Sequence, residues 1–329
     1  MINKNIDILK YIMSIMIVIL HLEWFLDSPV LRCAVPVFFI ISSFLFFNKI
    51  KNSSAADSKV ALRKLTARAI KLYLFWFIVL LPITLALHIH IGDLRQYLIY
   101  FPLNLILDGV FPASWYFAAY IIGIHIVYHL RNFPVLSLVF GIVGYLICCG
   151  VTNYGSFAFA IVDINHLPYI LSHYVRNSYM TFLAGLYFIW IGKYIADNNI
   201  RNMKVGLTGI VVGSVMLYFE NSLVCRLDCR VQDDCYLSLI LLAPAIYIFV
   251  LSLPQFIGFD TGFFRKASTI YYCSHIPIFT VLLAMEKNLQ FEMDKPLTFI
   301  CVITLCTLLA ATLINLSERR RFKILRYSY

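Results

Sequence analysis

The sequence predicts an all-α, polytopic integral membrane bundle of about ten transmembrane helices. The first observation is composition: 61% of the residues are hydrophobic and 13% are charged. A soluble domain carries roughly 25% charged residues, so one water-soluble core does not fit. Second, the apolar residues come in blocks, many approaching the roughly 20 residues that cross a bilayer as a helix. Third, the basic residues fall between the blocks, mostly on alternate sides.

In chain order the predicted spans are Ile8–Phe25, Cys33–Phe47, Leu72–Ile91, Ser114–His129, Val135–Val151, Tyr179–Ile195, Val205–Phe219, Tyr236–Leu253, Thr269–Met285 and Leu297–Leu316. Lys4 and Lys10 precede the apolar stretch of the first. No small-residue cleavage site succeeds it, only His21, Glu23 and Trp24, so it reads as a permanent span and not a cleaved leader. Lys51–Lys59 reads as a flexible start to the first inner loop, with a helix from Ala67 to Tyr73 leading into the third span. With the N-terminus inside, twenty of the 27 Lys and Arg residues fall in inner segments and seven in outer ones. That is the bias of a membrane protein with both termini cytoplasmic. The net charge of +10 is therefore topological. With no P-loop, dinucleotide fingerprint or RNA-binding signature, nucleic acid is not an expected partner. No internal repeat is visible, which weighs against several transporter folds.

Ionisable residues inside a bilayer are costly and point to function. On the first span Asp7, Lys10, Ser14 and His21 are spaced 3, 4 and 7 apart and share one helical face. His21 lies about 20 Å beyond Ile8 at 1.5 Å per residue. An imidazole there accepts a proton near neutral pH. His275 lies about 9 Å into the ninth span by the same rise, so the two histidines are predicted at different depths and a shared site is unsupported. At the second span Arg32 reads as a boundary residue that snorkels, and Ser42 and Ser43 as small polar packing residues. Arg63, Lys64, Arg68 and Lys71 read either as topological charge or as a clamp for phosphate. His125 and His129 form an incomplete metal pair with no nearby carboxylate or cysteine, so no metal site is expected. Cys225, Cys229 and Cys235 share one outer loop, where a disulfide between two of them is expected if the exterior is oxidising.

Taken together, these residues resemble a known family. An acidic residue, a basic residue and a histidine along the first span are matched by Asp7, Lys10 and His21, with lysine where arginine is usual. The string Arg-x-x-x-Pro-x-Phe-Phe-x-x-Ser-Gly-Phe is matched by Arg32, Pro36, Phe38, Phe39, Ser42 and Phe44, with Ser43 in place of glycine. Arg68 and Lys71 match two basic residues three apart. Trp115 and Tyr116 match an aromatic pair opening a middle span. Tyr271, His275 and Pro277 match a late Tyr-x-x-x-His-x-Pro string, and Glu318 an acidic residue after the last span. The chain thus resembles the acyltransferase 3 family of membrane-bound O-acyltransferases, which modify bacterial surface and secreted carbohydrates.

The resemblance implies a cytoplasmic acyl-CoA donor, usually acetyl-CoA, with no permanently bound cofactor. It implies an acceptor glycan or lipid-linked sugar reaching the site from outside or from the bilayer plane. Arg68 and Lys71, helped by Arg63 and Lys64, would hold the donor phosphates. His21 would act as general base or transient acyl carrier. Asp7, Lys10, Ser14, Arg32, Ser42, Ser43, Trp115, Tyr116, His275 and Glu318 would support it. The other class that fits is a transporter or flippase for a glycan or lipid-linked sugar; a family member kept for binding or regulation is a third.

Overall fold

Apolar blocks of this length satisfy their backbone polar groups internally only as helices, and in the computed structural model each predicted span coincides with one. The structure describes residues 3–22, 29–111, 113–161, 166–255 and 260–329. Glu23, Trp24 and the predicted end of the first span at Phe25 lie outside them. Among the described residues there is no strand. The helices are α1 (Lys4–His21), α2 (Ala34–Ile50), α3 (Ala55–Ile91), α4 (Leu94–Asn104), α5 (Trp115–His129), α6 (Pro134–Val151), α7 (Gly155–Ile161), α8 (Tyr169–Arg176), α9 (Phe182–Asn198), α10 (Met203–Leu227), α11 (Leu239–Ser252), α12 (Gly262–Leu289) and α13 (Lys295–Glu318).

Local chemistry sets several of their ends. Asn3, Ser54, Thr181, Asn202 and Asp294 cap α1, α3, α9, α10 and α13 by accepting backbone N–H groups of the first turn. Gly92 closes α3 in the left-handed conformation, at φ 83°.

Among the described residues, six segments are long and apolar enough to cross a membrane: Pro29–Ile50, Ala55–Ile91, Pro134–Val151, Met203–Leu227, Gly262–Leu289 and Lys295–Glu318. Length and composition thus establish six of the ten predicted spans among the described residues, and the count of about ten is not confirmed. The other four predicted spans fall short for identifiable reasons. α5, α9 and α11 have 15, 17 and 14 residues, at most about 25 Å of helix against a hydrocarbon core of about 30 Å. α1 has 18 residues but carries Lys4, Asp7 and Lys10.

A second difference concerns the expected flexible loop. From Ala55 the chain is already helical, and α3 runs unbroken for 37 residues. That is about 55 Å, well beyond a bilayer core, so its basic first half continues the axis of the apolar second half.

α2 is the hub. Val37, Phe39, Ile40 and Ile41 are at most 1% exposed. α9 packs on one side of it and α1 and α11 on others, while α12 lies along α1 and α13 along α12. The α2–α9 approach is close because Gly192 faces Ser43: a Cβ on Gly192 would sit 2.0 Å from Ser43 Oγ and 2.6 Å from the Ile40 carbonyl oxygen. At the periphery the apolar side chains point outward, as at Ile78, Val135, Tyr218 and Leu308. Apolar residues buried at the hub and exposed at the rim suit a body surrounded by hydrocarbon. The chain is a multi-pass membrane protein.

Candidate active site

The basic first half of α3 meets α1, α2, α5 and α12 around a cavity of about 440 Å³ at the basic end of the bundle. Lys10, Lys49, Lys64 and Arg68 bring four cationic side chains to it. Its opposite wall and roof are aromatic and hydroxylic, with Ser42, Tyr116, Tyr120, Ser268 and Tyr272. The Tyr116 and Ser42 hydroxyls lie 2.9 Å apart, and Tyr120 donates to the Ser42 carbonyl oxygen at 3.1 Å. Such a chamber suits an anionic head among the cations and a less polar arm against the aromatic rings.

Above the roof stand the two histidines. Tyr272 is ringed by Phe38 at 6.2 Å and Tyr116 at 5.6 Å, and its centroid is 6.3 Å from that of His275. His275 in turn is 5.1 Å from His21, centroid to centroid. The predicted difference in depth is thereby corrected: the histidines are neighbours. Hydropathy had placed the start of the ninth span at Thr269, beyond Arg265 and Lys266. The helix starts at Gly262 and carries those charges inside it, so His275 is 13 residues along α12, about 20 Å at helical rise.

The first-span stripe exists, and its members divide their work. Asp7 is buried, accepts from Thr261 Oγ1 at 2.7 Å and pairs with Arg265 at 3.6 Å. Arg265, read from sequence as topological charge, therefore fastens α12 to α1. Lys10 turns to the cavity. Ser14 donates to the Tyr11 carbonyl oxygen at 2.7 Å and stays within its own helix. Tyr11 and Tyr271 join α1 to α12 through their hydroxyls at 3.1 Å.

Other expected site residues separate. Lys64 and Arg68, four apart on α3, line the cavity. Arg63 does not, because one residue turns 100° around the helix. Lys71 shares the face of Lys64 and Arg68 but stacks over Tyr327 of the C-terminal segment at 5.2 Å. Ser43 is fully buried, donates to the Phe39 carbonyl oxygen at 2.7 Å and packs against Gly192, so it belongs to the helix interface. Glu318 is 68% exposed and reaches Lys266 at 3.6 Å, outside the cavity wall. Trp115 and Tyr116 face different chambers: Tyr116 the basic one, Trp115 a small cavity of about 40 Å³ near the other end of the bundle.

That second cavity is where Arg32 is found. It does not snorkel. It bridges Asp233 and Asp234, each at 3.5 Å, and is 18% exposed. Burial pushes the Asp234 carboxyl up to about 6, against the pull of the Arg32 guanidinium. The disulfide expected in this loop is not formed. The Cys229 thiol donates to the Asn153 carbonyl oxygen at 3.3 Å, Cys225 is exposed, and all three thiols are free. His125 Nε2 lies 2.8 Å from Thr66 Oγ1, an α3–α5 contact.

Sequence reasoning missed Lys49, Tyr120, Ser268 and Tyr272 as site residues. Lys49 was visible only as inner charge, and Tyr272 only as the neighbour of a motif tyrosine.

Residues 3–316 match the acyltransferase domain that defines the acyltransferase 3 family. The chain belongs to the acyltransferase 3 family. The match spans nearly the whole chain, so both histidines and nearly all of the chamber lining lie within the matched residues. Two curated proteins are also similar. An amino-acid racemase of Enterococcus faecalis is 23% identical over 342 residues, covering 97% of this chain and 47% of that protein. A serine/alanine racemase of Enterococcus gallinarum is 27% identical over 136 residues, covering 37% of this chain and 18% of that protein. This chain thus spans less than half the length of either. No solved structure matches it.

Proposed function

We propose that this acyltransferase takes an acyl group, most simply acetyl, from cytoplasmic acyl-CoA. It delivers the group to a hydroxyl of a cell-surface glycan or its lipid-linked precursor. The carrying observation is the alignment of the cationic chamber, its aromatic roof and the histidine pair. Lys10, Lys49, Lys64 and Arg68 would bind the donor phosphates, and the pantetheine arm would rise along Tyr116 and Tyr120 toward Tyr272. His21 would take the proton of the acceptor hydroxyl. The basic end would face the cytoplasm, as the charge bias predicts, in the plasma membrane with both termini inside. The other class that fits, a transporter or flippase, would need a polar path across the bundle, whereas the cationic groups of the chamber gather at one end of it.

The test is mass spectrometry of surface glycans from cells with and without the protein, with His21→Gln as the probe. Glutamine keeps hydrogen bonding but accepts no proton usefully. A general base contributes roughly 10²–10⁴-fold, so His21→Gln should abolish detectable acylation at normal protein level. A well-expressed His21→Gln protein acylating at a near-native rate would defeat the assignment. The racemase-named relatives support a second reading, in which the acceptor is an amino acid. Labelled serine and alanine offered to the purified protein with acetyl-CoA decide between the two.

A further inference from the structure

His275 is 1% exposed, yet its Nε2 has no hydrogen-bond partner among the described residues. Buried polar atoms are nearly always paired, so an orphan at a helix contact asks for a reason. The other ring nitrogen supplies part of it. Nδ1 lies 3.0 Å from the Tyr271 carbonyl oxygen. A carbonyl only accepts, so Nδ1 carries the proton and Nε2 keeps a free lone pair. The backbone of α12 thus holds the imidazole in the tautomer that a nucleophile needs. Position supplies the rest. His275 stands between Tyr272, which roofs the cationic chamber, and His21, which unlike His275 is exposed.

We propose that the two histidines divide the reaction: His275 Nε2 receives the acyl group from the donor side, and His21 serves the acceptor. This rests on the chamber's being the acyl-CoA site. In the first half the Nε2 lone pair attacks the thioester carbonyl carbon. An N–C bond forms, the C–S bond breaks, and its electron pair leaves on sulfur as the CoA thiolate. The ring, still protonated at Nδ1, is now an acylated imidazolium, its charge shared along the hydrogen bond to the Tyr271 carbonyl. In the second half the acceptor hydroxyl attacks the same carbon. An O–C bond forms, the N–C bond breaks, and the pair returns to Nε2, while the hydroxyl proton passes to His21. His21 releases that proton to solvent and the thiolate takes one up, so thioester and alcohol become ester and thiol. CoA stays on the chamber side of the roof, and only the acyl group passes it.

The experiment uses the full chain in nanodiscs with labelled acetyl-CoA and no acceptor. Expected is a burst of one free CoA per chain and an acetyl group on the peptide containing His275, removable by hydroxylamine. His21→Gln should form and retain that adduct, because loading does not need the acceptor base. His275→Gln should give no burst and at least a hundredfold loss of transfer. Should His275→Gln fail to accumulate, adduct mapping in His21→Gln decides by itself. Acetyl on the His21 peptide, turnover without a burst, or His275→Gln working near the native rate overturns the relay while leaving the acyltransferase reading in place. A wild-type protein that neither binds nor consumes acetyl-CoA overturns the donor reading, and the relay with it.

Discussion

Arg68→Ala is the sharpest test of the cationic chamber, because the structure supplies its own control one turn away. Arg68 lines the chamber with Lys10, Lys49 and Lys64. Arg63, on the same exposed stretch of α3, does not. Both removals take one positive charge from the same end of the protein, so they change topology and long-range potential alike. They differ in contact with a bound phosphate. A hydrogen bond to a charged group is worth about 1.5–3 kcal/mol. Arg68 is exposed before ligand binds, so screening reduces this to about 1–2 kcal/mol, a factor of roughly 5–30 in affinity. Titration of purified protein with acetyl-CoA by calorimetry should show that weakening for Arg68→Ala and less than about a twofold change for Arg63→Ala. Lys71→Ala should behave like Arg63→Ala, since Lys71 is held over Tyr327. The Arg68 effect should shrink as salt rises. Equal losses from Arg68→Ala and Arg63→Ala would leave only the topological role of these charges. Arg265 is unsuitable as a control, because its loss would unpair the buried Asp7.

Tyr272→Ala opens the roof beneath His275 and should admit longer donors. Each extra methylene is worth about 0.8 kcal/mol when buried, so butyryl-CoA should gain roughly fifteenfold on acetyl-CoA; an unchanged ratio would remove Tyr272 as the limit on chain length. Gly192→Ala puts a Cβ 2.0 Å from Ser43 Oγ, and overpacking of about 1–3 kcal/mol is expected. Thermal unfolding in detergent should fall and be partly restored by adding Ser43→Gly, whereas an unmoved melt would contradict the close α2–α9 approach. The Asp234 carboxyl is raised by burial to about 6, so the fold holds its proton more tightly than the unfolded chain does. Its contribution is present below the ordinary carboxylate value and is lost as pH rises through about 6. Asp234→Asn should flatten that dependence, and a wild-type denaturation profile already flat from pH 4 to 7 would count against it. Finally, the exposed Cys225 should react with an impermeant thiol reagent on intact cells, and a cysteine at exposed Ser54 should not. Labelling at position 54 would reverse the orientation.

Much of the candidate site was legible because its signals are local. The stripe of Asp7, Lys10, Ser14 and His21 follows from 3.6-residue periodicity alone, and the family string from Arg32 to Phe44 is contiguous. What misled the reading was the use of charge as a boundary. Arg265 and Lys266 marked the supposed start of the ninth span, although Arg265 is satisfied inside the helix by Asp7 and Lys266 reaches Glu318. Moving that start by seven residues carries His275 from a shallow position to the side of His21. The same habit made a loop of the first turns of α3, where basic residues continue an apolar helix beyond the bilayer.

By itself the sequence determined the class of protein, the helical segments, the charge bias and the first-span stripe. Each depends on composition or on spacing within one element. Only the tertiary structure decided which charges converge. Lys10, Lys49, Lys64 and Arg68 come from three helices, and Lys71, on the same face of α3 as Arg68, is drawn away by Tyr327. Nor could spacing show that Arg32 is held by two aspartates about two hundred residues away, or that Ser43 fills the room left by Gly192. Helix periodicity fixes the face on which a side chain lies. What occupies the space opposite that face is set by packing between segments remote in the chain.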